Sequence, residues 1–251
     1  AGIDLVALVV AVLAGELRVE PAARVETADF GEREVVRDPV FAGATRVLGE
    51  SAREDLGDKT QYPDWNPIYI EPAHYHLWLT ETEWKSLVAV KREPGHRFPV
   101  PDGIKKRILR YHLLNGTFGL PAPWRLEEIR AGELTMIVEA TTPNLRLRLE
   151  GTTLLATDAD LAQAKRGFDA RLLGWLEYNP ARQAITRFDV VAVGEYWGGD
   201  YEGGRFKRPG RTPLGIAFSL ARGNSAVDQA PPLVHMDRPE VYERYFAAEQ
   251  R

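Results

Sequence analysis

The stretch Leu145-Arg146-Leu147-Arg148-Leu149-Glu150 alternates apolar and charged side chains without a break. A strand turns successive side chains to opposite faces, so this run describes a strand with one face in a core and the other in water. Working outward, the same period of two predicts strands over Glu133–Ala140, Leu145–Leu155, Phe168–Tyr178, Ala184–Trp197 and Leu214–Ala221. Thr142-Pro143-Asn144 and Tyr178-Asn179-Pro180-Ala181-Arg182-Gln183 are turn-rich and short enough for hairpins, so consecutive strands should pair antiparallel. Glycines inside the strands, Gly151, Gly174, Gly194 and Gly215, suit tight curvature or bulges. The expected fold is therefore α+β and β-dominated: a curved antiparallel meander or partly open β-barrel with two or three packed helices.

The first half has a different rhythm. Short strands and loops are expected from Gly15 to about Asp64, where Pro and Gly punctuate mixed charges. His74 to Leu79 reads as a short strand with His74, His76 and Trp78 on one face and Tyr75, Leu77 and Leu79 on the other. Thr80 and Glu83 form a capping box that opens a helix, with Trp84 and Leu87 on its apolar side and an end before Pro94. A second helix is expected from an Asp102 cap to about Leu114, with Ile104, Ile108, Tyr111 and His112 on one side and Lys105, Lys106, Arg107 and Arg110 on the other. A helical turn over Trp124–Arg130 closing at Gly132, and a terminal helix near Pro239–Glu249 presenting Tyr242, Tyr245 and Phe246 to the body, complete the expected elements.

The composition excludes several functional classes. Among 251 residues, 32 Lys+Arg face 36 Asp+Glu, a formal net charge of -4, so a general nucleic-acid binder's electrostatic footprint is missing. The basic stretch Lys105 to Arg110 reads as a solvated surface, whose charge would need aromatic company to suggest nucleic acid. Without cysteine there is no disulfide framework, zinc ribbon, iron–sulfur site or thiol nucleophile. The chain also lacks a G-x-S-x-G elbow, a Walker loop, a dinucleotide fingerprint and an HExxH pair. Ile3 to Ala14 is apolar but too short to span a bilayer, and no membrane span is expected in the mature protein. Its length and the Val12-Leu13-Ala14 ending suit a signal-peptide remnant over 1–14, ahead of a single β-rich domain over 15–251. A β-rich strand of the domain is the other reading of the same residues.

Trp65-Asn66-Pro67, Pro72-Ala73-His74-Tyr75-His76-Leu77-Trp78-Leu79-Thr80, Arg97-Phe98-Pro99-Val100-Pro101-Asp102 and Arg110-Tyr111-His112-Leu113 resemble an uncharacterised family of exported proteins from planctomycete-type bacteria. Gly167 to Gly174, Arg187 to Gly194 and Pro213 to Phe218 are similar to it as well, so the likeness covers roughly Val40 to Arg222. The resemblance implies export, periplasmic or extracellular, and a shared fold. It implies no activity.

Chemistry could sit in three places. A strand HxH projects His74 and His76 from one face, about 7 Å apart by strand rise, and His112 on an apolar helix face could add a third nitrogen ligand for one zinc or copper ion. The competing reading makes His112 a hydrogen-bonded core histidine. His96, and His235 beside Met236, are weaker candidates in coil. The second place is the connection from Gly194 to Arg211, where Glu195, Tyr196, Trp197, Tyr201 and Phe206 could stack on a sugar or another small planar ligand. Aromatics that cap the end of the barrel are the alternative there. Third, Glu177, Asp189 and Glu195 on neighbouring strands could pair for acid–base work, although exposed pairing with Arg171 or Arg187 is the expected role, and Asp158-Ala159-Asp160 lacks the ligand ladder of a calcium loop. Two functions follow: an exported, non-catalytic, barrel-like protein binding a small-molecule or carbohydrate ligand, which is preferred, and a metal-dependent exported enzyme.

Overall fold

The computed structural model describes residues 40–47, 74–115, 122–198, 210–221, 232 and 238–247; of residues 40–47 and of His74 and Tyr75 it describes the backbone alone. The expectations for Ile3 to Ala14, for most of the stretch before Asp64, and for Tyr201, Phe206, His235 and Met236 lie outside these residues.

Eight strands form one sheet: β1 Val40–Val47, β2 His74–Trp78, β3 Arg97–Pro99, β4 Ile129–Ala140, β5 Leu145–Ala156, β6 Arg166–Asn179, β7 Ala184–Gly198 and β8 Arg211–Leu220. Their order is β2-β1-β8-β7-β6-β5-β4-β3, and the neighbours are antiparallel. The meander expected from the period of two thus runs from β4 to β8; β3, which was not expected, adds to it beside β4, and β1 and β2 extend it past β8. In β5 the strict alternation appears directly as burial: Leu145, Leu147 and Leu149 lie in the core while Arg146 is exposed.

The strands coil closely. A Cβ built at Gly194 would lie 1.9 Å from the Asp169 carbonyl oxygen, and one at Gly174 would lie 2.3 Å from that of Asp189. Only glycine tolerates such an approach by the neighbouring strand's backbone. Register shifts at Ile129/Ala131, Val138/Ala140 and Glu177/Tyr178 add bulges, which increase local twist.

Helix α1, Glu81–Val88, starts on the expected capping box: Glu83 N–H donates to Thr80 Oγ1 at 3.3 Å and Thr80 N–H to Glu83 Oε2 at 2.8 Å. It buries Trp84, Leu87 and Val88. Helix α2, Asp102–Arg107, continues as a π-helical turn, Ile108–His112, and buries Ile104, Ile108 and Leu109 in the same core as the sheet's Leu134, Leu147, Phe168, Leu172 and Phe218. Helix α3, Pro239–Phe246, packs through Tyr245 on Tyr111 and Trp78 in a second, smaller cluster.

Four local expectations need correction. Asp102 is not the cap of α2: Pro101 occupies that position, and Asp102 instead pairs with Lys105 at 2.7 Å. Arg107 does not share the solvated side of α2 with Lys105 and Lys106 but is completely buried. The helix expected over Trp124–Arg130 is a single 3-10 turn, Leu126–Glu128, because the Glu128 carboxylate folds back on Arg125 N–H at 2.9 Å and β4 begins at Ile129, leaving Gly132 inside a strand. Tyr242 faces outward, 43% exposed, while Tyr245 carries the packing of α3.

Candidate functional site

Strand β2 stands at the edge of the sheet, where unpaired backbone groups invite pairing with another strand unless they are covered. Here side chains from two helices, α2 and α3, cover Trp78. Its N–H donates to Tyr245 Oη at 3.1 Å, and its carbonyl accepts from Arg107 Nη1 at 3.2 Å.

Arg107 organises the junction. Nη1 and Nη2 donate to the two Glu83 oxygens at 2.7 and 2.6 Å, a bidentate pair, and Nη2 also donates to the Phe246 carbonyl at 3.3 Å. With Nε donating to the Tyr245 carbonyl at 3.1 Å and Nη1 to Trp78, all five N–H groups of the guanidinium have acceptors. Its plane also lies over the rings of Tyr245 and Phe246 at 5.1 and 4.7 Å. Burial pushes the Glu83 carboxyl up, but the bonds from Arg107 and Thr80 outweigh it and hold it below its ordinary value. One residue thereby ties α1, β2, α2 and α3 together.

The histidines meet at the same place. His76 and His112 are both buried, and His112 Nε2 and the Tyr245 hydroxyl share a hydrogen bond of 2.8 Å. Burial, then the charges of Arg107 and His76, hold the His112 pKa down to about 3, so the ring is neutral at any physiological pH. Burial raises the Tyr245 phenol, which therefore keeps its proton. His76 is thus felt electrostatically at His112, while the His74 side chain lies outside the described residues. Among the described residues no group of three or more His, Asp or Glu is placed to hold a metal ion. His96 stacks on Phe98 with ring centroids 5.9 Å apart.

The β7–β8 stem is the second place. Glu195, Tyr196 and Trp197 belong to β7 itself, which runs to Gly198, and Trp197 pairs in register with Arg211. Tyr196 is buried against Phe168, with ring centroids 6.1 Å apart. Trp197 donates its indole N–H to the Ala164 carbonyl at 3.2 Å and lies so close on Gly167 that a Cβ there would fall 2.0 Å from its ring. Arg211 lies over the Trp197 ring at 4.1 Å and reaches the exposed Glu195 at 3.6 Å. Gly198 and Gly210, with φ of 88° and 71°, take the left-handed conformation at the two ends of the connection. Residues 199–209, with Tyr201 and Phe206, lie outside the described residues.

The carboxylates of the sheet pair with arginine. Arg187 joins Asp189 at 2.5 Å and Glu177 at 3.8 Å, and Arg97, Arg146 and Arg148 link Glu139 and Glu150 into a ladder. Asp158 and Asp160 accept backbone N–H groups two residues on, at 2.9 and 3.0 Å, as turn-forming aspartates do.

Sequence reasoning missed the burial of Arg107 and, although it expected Tyr245 to pack on the body, the bond of Tyr245 to His112. The signal available was an arginine on an otherwise apolar side of a helix, one turn before His112, with an acidic capping-box residue upstream. No protein-family model matches the chain, no curated protein matches it, and no solved structure matches it.

Proposed function

We propose that this is an exported, non-catalytic binding protein whose ligand, a carbohydrate or another small molecule with a flat face, is held by the segment joining β7 and β8. The observation that carries the reading is the stem. Trp197 is fixed by Arg211, Ala164 and Gly167, and two left-handed glycines bound an insertion too long for a hairpin turn. Rigid strands beneath such a segment suit recognition, and Tyr201 and Phe206 supply stacking surfaces to it. At the β2 junction, by contrast, Arg107 is paired with Glu83 and His112 with Tyr245. Export is supported by the Ile3 to Ala14 pattern and by the resemblance to exported proteins.

A second reading, one zinc or copper ion held by His74, His76 and His112, draws on the nearness of His76 to His112. It requires His112 to offer Nδ1, since Nε2 is engaged by Tyr245.

Titration of the full chain with a panel of neutral and acidic oligosaccharides, followed by intrinsic fluorescence, tests the first reading. A Tyr201→Ala/Phe206→Ala double variant should lose binding at least about tenfold, as stacked aromatics are worth on the order of 1–1.5 kcal/mol each, without a change in Tm. Binding that survives unchanged in the double variant would overturn it, as would a panel from which nothing binds.

A further inference from the structure

The π-helical turn that follows α2 is closed by Leu113 N–H donating to the Ile108 carbonyl at 3.2 Å, the five-residue spacing of a widened turn. Such turns concentrate where a helix has a task beyond packing. Here the widened turn buries Tyr111 and His112 in the β2 junction and leaves Arg110 partly exposed beside them.

Arg110, Tyr111, Pro123, Val241 and Arg244 line a cleft of about 240 Å³ between this turn, the segment before the 3-10 turn, and α3. Its walls are held. Arg110 Nε donates to the Trp124 carbonyl at 3.0 Å, and the guanidinium lies over the Tyr111 ring at 5.0 Å. The Tyr111 hydroxyl in turn donates to the Arg244 carbonyl at 3.3 Å, which ties α3 to the turn.

Arg97, Arg107, Arg125, Arg146, Arg148, Arg166, Arg187 and Arg211 all have carboxylate partners. Among the described residues Arg110 and Arg244 have none, as is also true of Arg92, Arg130, Arg171, Arg182 and Arg238, but Arg110 and Arg244 line the same cleft. Two arginines without a carboxylate partner therefore line one cleft, none of whose described lining residues is acidic, in a chain whose net charge is -4. Pro123, Val241 and the Tyr111 ring give the same cleft an apolar wall.

We propose that this cleft binds a small organic oxyanion, a carboxylate or phosphate ester, whose charged end lies between Arg110 and Arg244 and whose apolar part rests on Pro123 and Val241. Arginine suits that task because its planar fork donates two parallel hydrogen bonds to a carboxylate or phosphate, and a partly dehydrated cleft strengthens them. The size of the cleft admits a small molecule, not a folded partner.

Calorimetric titration of the full chain with inorganic phosphate and, separately, with benzoate tests the proposal and separates the two anion classes. Saturable binding of at least one probe is expected, weakened about fivefold or more in Arg244→Gln, in keeping with the loss of one charge-assisted fork. Arg244 is exposed and its side chain supports no other described group, so the variant should keep the wild-type Tm. Arg110→Gln should weaken the same probe; should that variant fold poorly, Arg244→Gln decides alone. Absence of saturable binding by both probes overturns the proposal, and so does binding of equal strength in wild type and Arg244→Gln.

Discussion

Arginine–carboxylate pairs occur both at the β2 junction and across the meander, and the two regions use them differently. At the junction Arg107 is completely buried and Glu83 mostly so, whereas on the sheet Arg187 and its partners Glu177 and Asp189 are 42%, 27% and 31% exposed. Water competes for the second set and screens it, so each such pair contributes about 0–1 kcal/mol. A buried guanidinium has no such alternative, and removing its partner leaves a charge that nothing else can satisfy. The same chemistry is structural in one place and nearly neutral in the other. Burial, more than residue type, decides its worth.

Arg107→Met should have the largest effect on stability. It removes five hydrogen bonds at once and leaves Glu83 without its bidentate partner, so a loss of about 3–5 kcal/mol is expected in denaturant unfolding. The α3 segment, held by two of those bonds, should become the first site of limited proteolysis. Adding Glu83→Gln to that variant should cost much less than Glu83→Gln alone, which a double-mutant cycle would read as coupling.

Acid should expose the same junction at an intermediate cost. The folded-state pKa of His112 lies near 3 against an unfolded value near 6.5, so the unfolded chain binds the extra proton between those values and stability falls as pH falls through them. The depressed Glu83 carboxyl contributes stability above its unfolded pKa that is lost as pH drops through its lower folded value, the same direction but further into acid. His112→Gln should therefore flatten the decline of Tm between about pH 6.5 and pH 4. An unchanged profile would remove His112 from the account. The smallest effect belongs to the sheet: Arg187→Ala should change stability by less than about 1 kcal/mol, and less still in high salt.

The meander could be read from residue order because each of its strands sets one apolar face against one solvated face. Such a pattern is local, and the observed ends of β4 to β8 differ from the expected ones by at most a few residues. Strand β1 shows no such alternation in Phe41-Ala42-Gly43-Ala44; it is held by partners on both sides, β2 and β8, that come from distant parts of the chain. Arg107 was hidden for the same reason. Beside Lys105 and Lys106 it reads as one more solvated cation, and only Glu83 in another helix, with the carbonyls of α3, makes its burial tolerable. The apolar helix face of His112 pointed to its burial, but Tyr245, which engages it, lies 133 residues further on. Tyr196 and Trp197 follow the ordinary rule that large aromatics are buried, against Phe168 and Gly167 respectively.

On the proposed function the histidines are parts of the fold and recognition belongs to the β7–β8 segment. Metal analysis by mass spectrometry of untagged protein, purified without added metal, tests that division most directly. Zinc and copper far below one ion per chain, unchanged in His76→Gln, is the predicted result; close to one ion per chain, lost in His76→Gln, would contradict it.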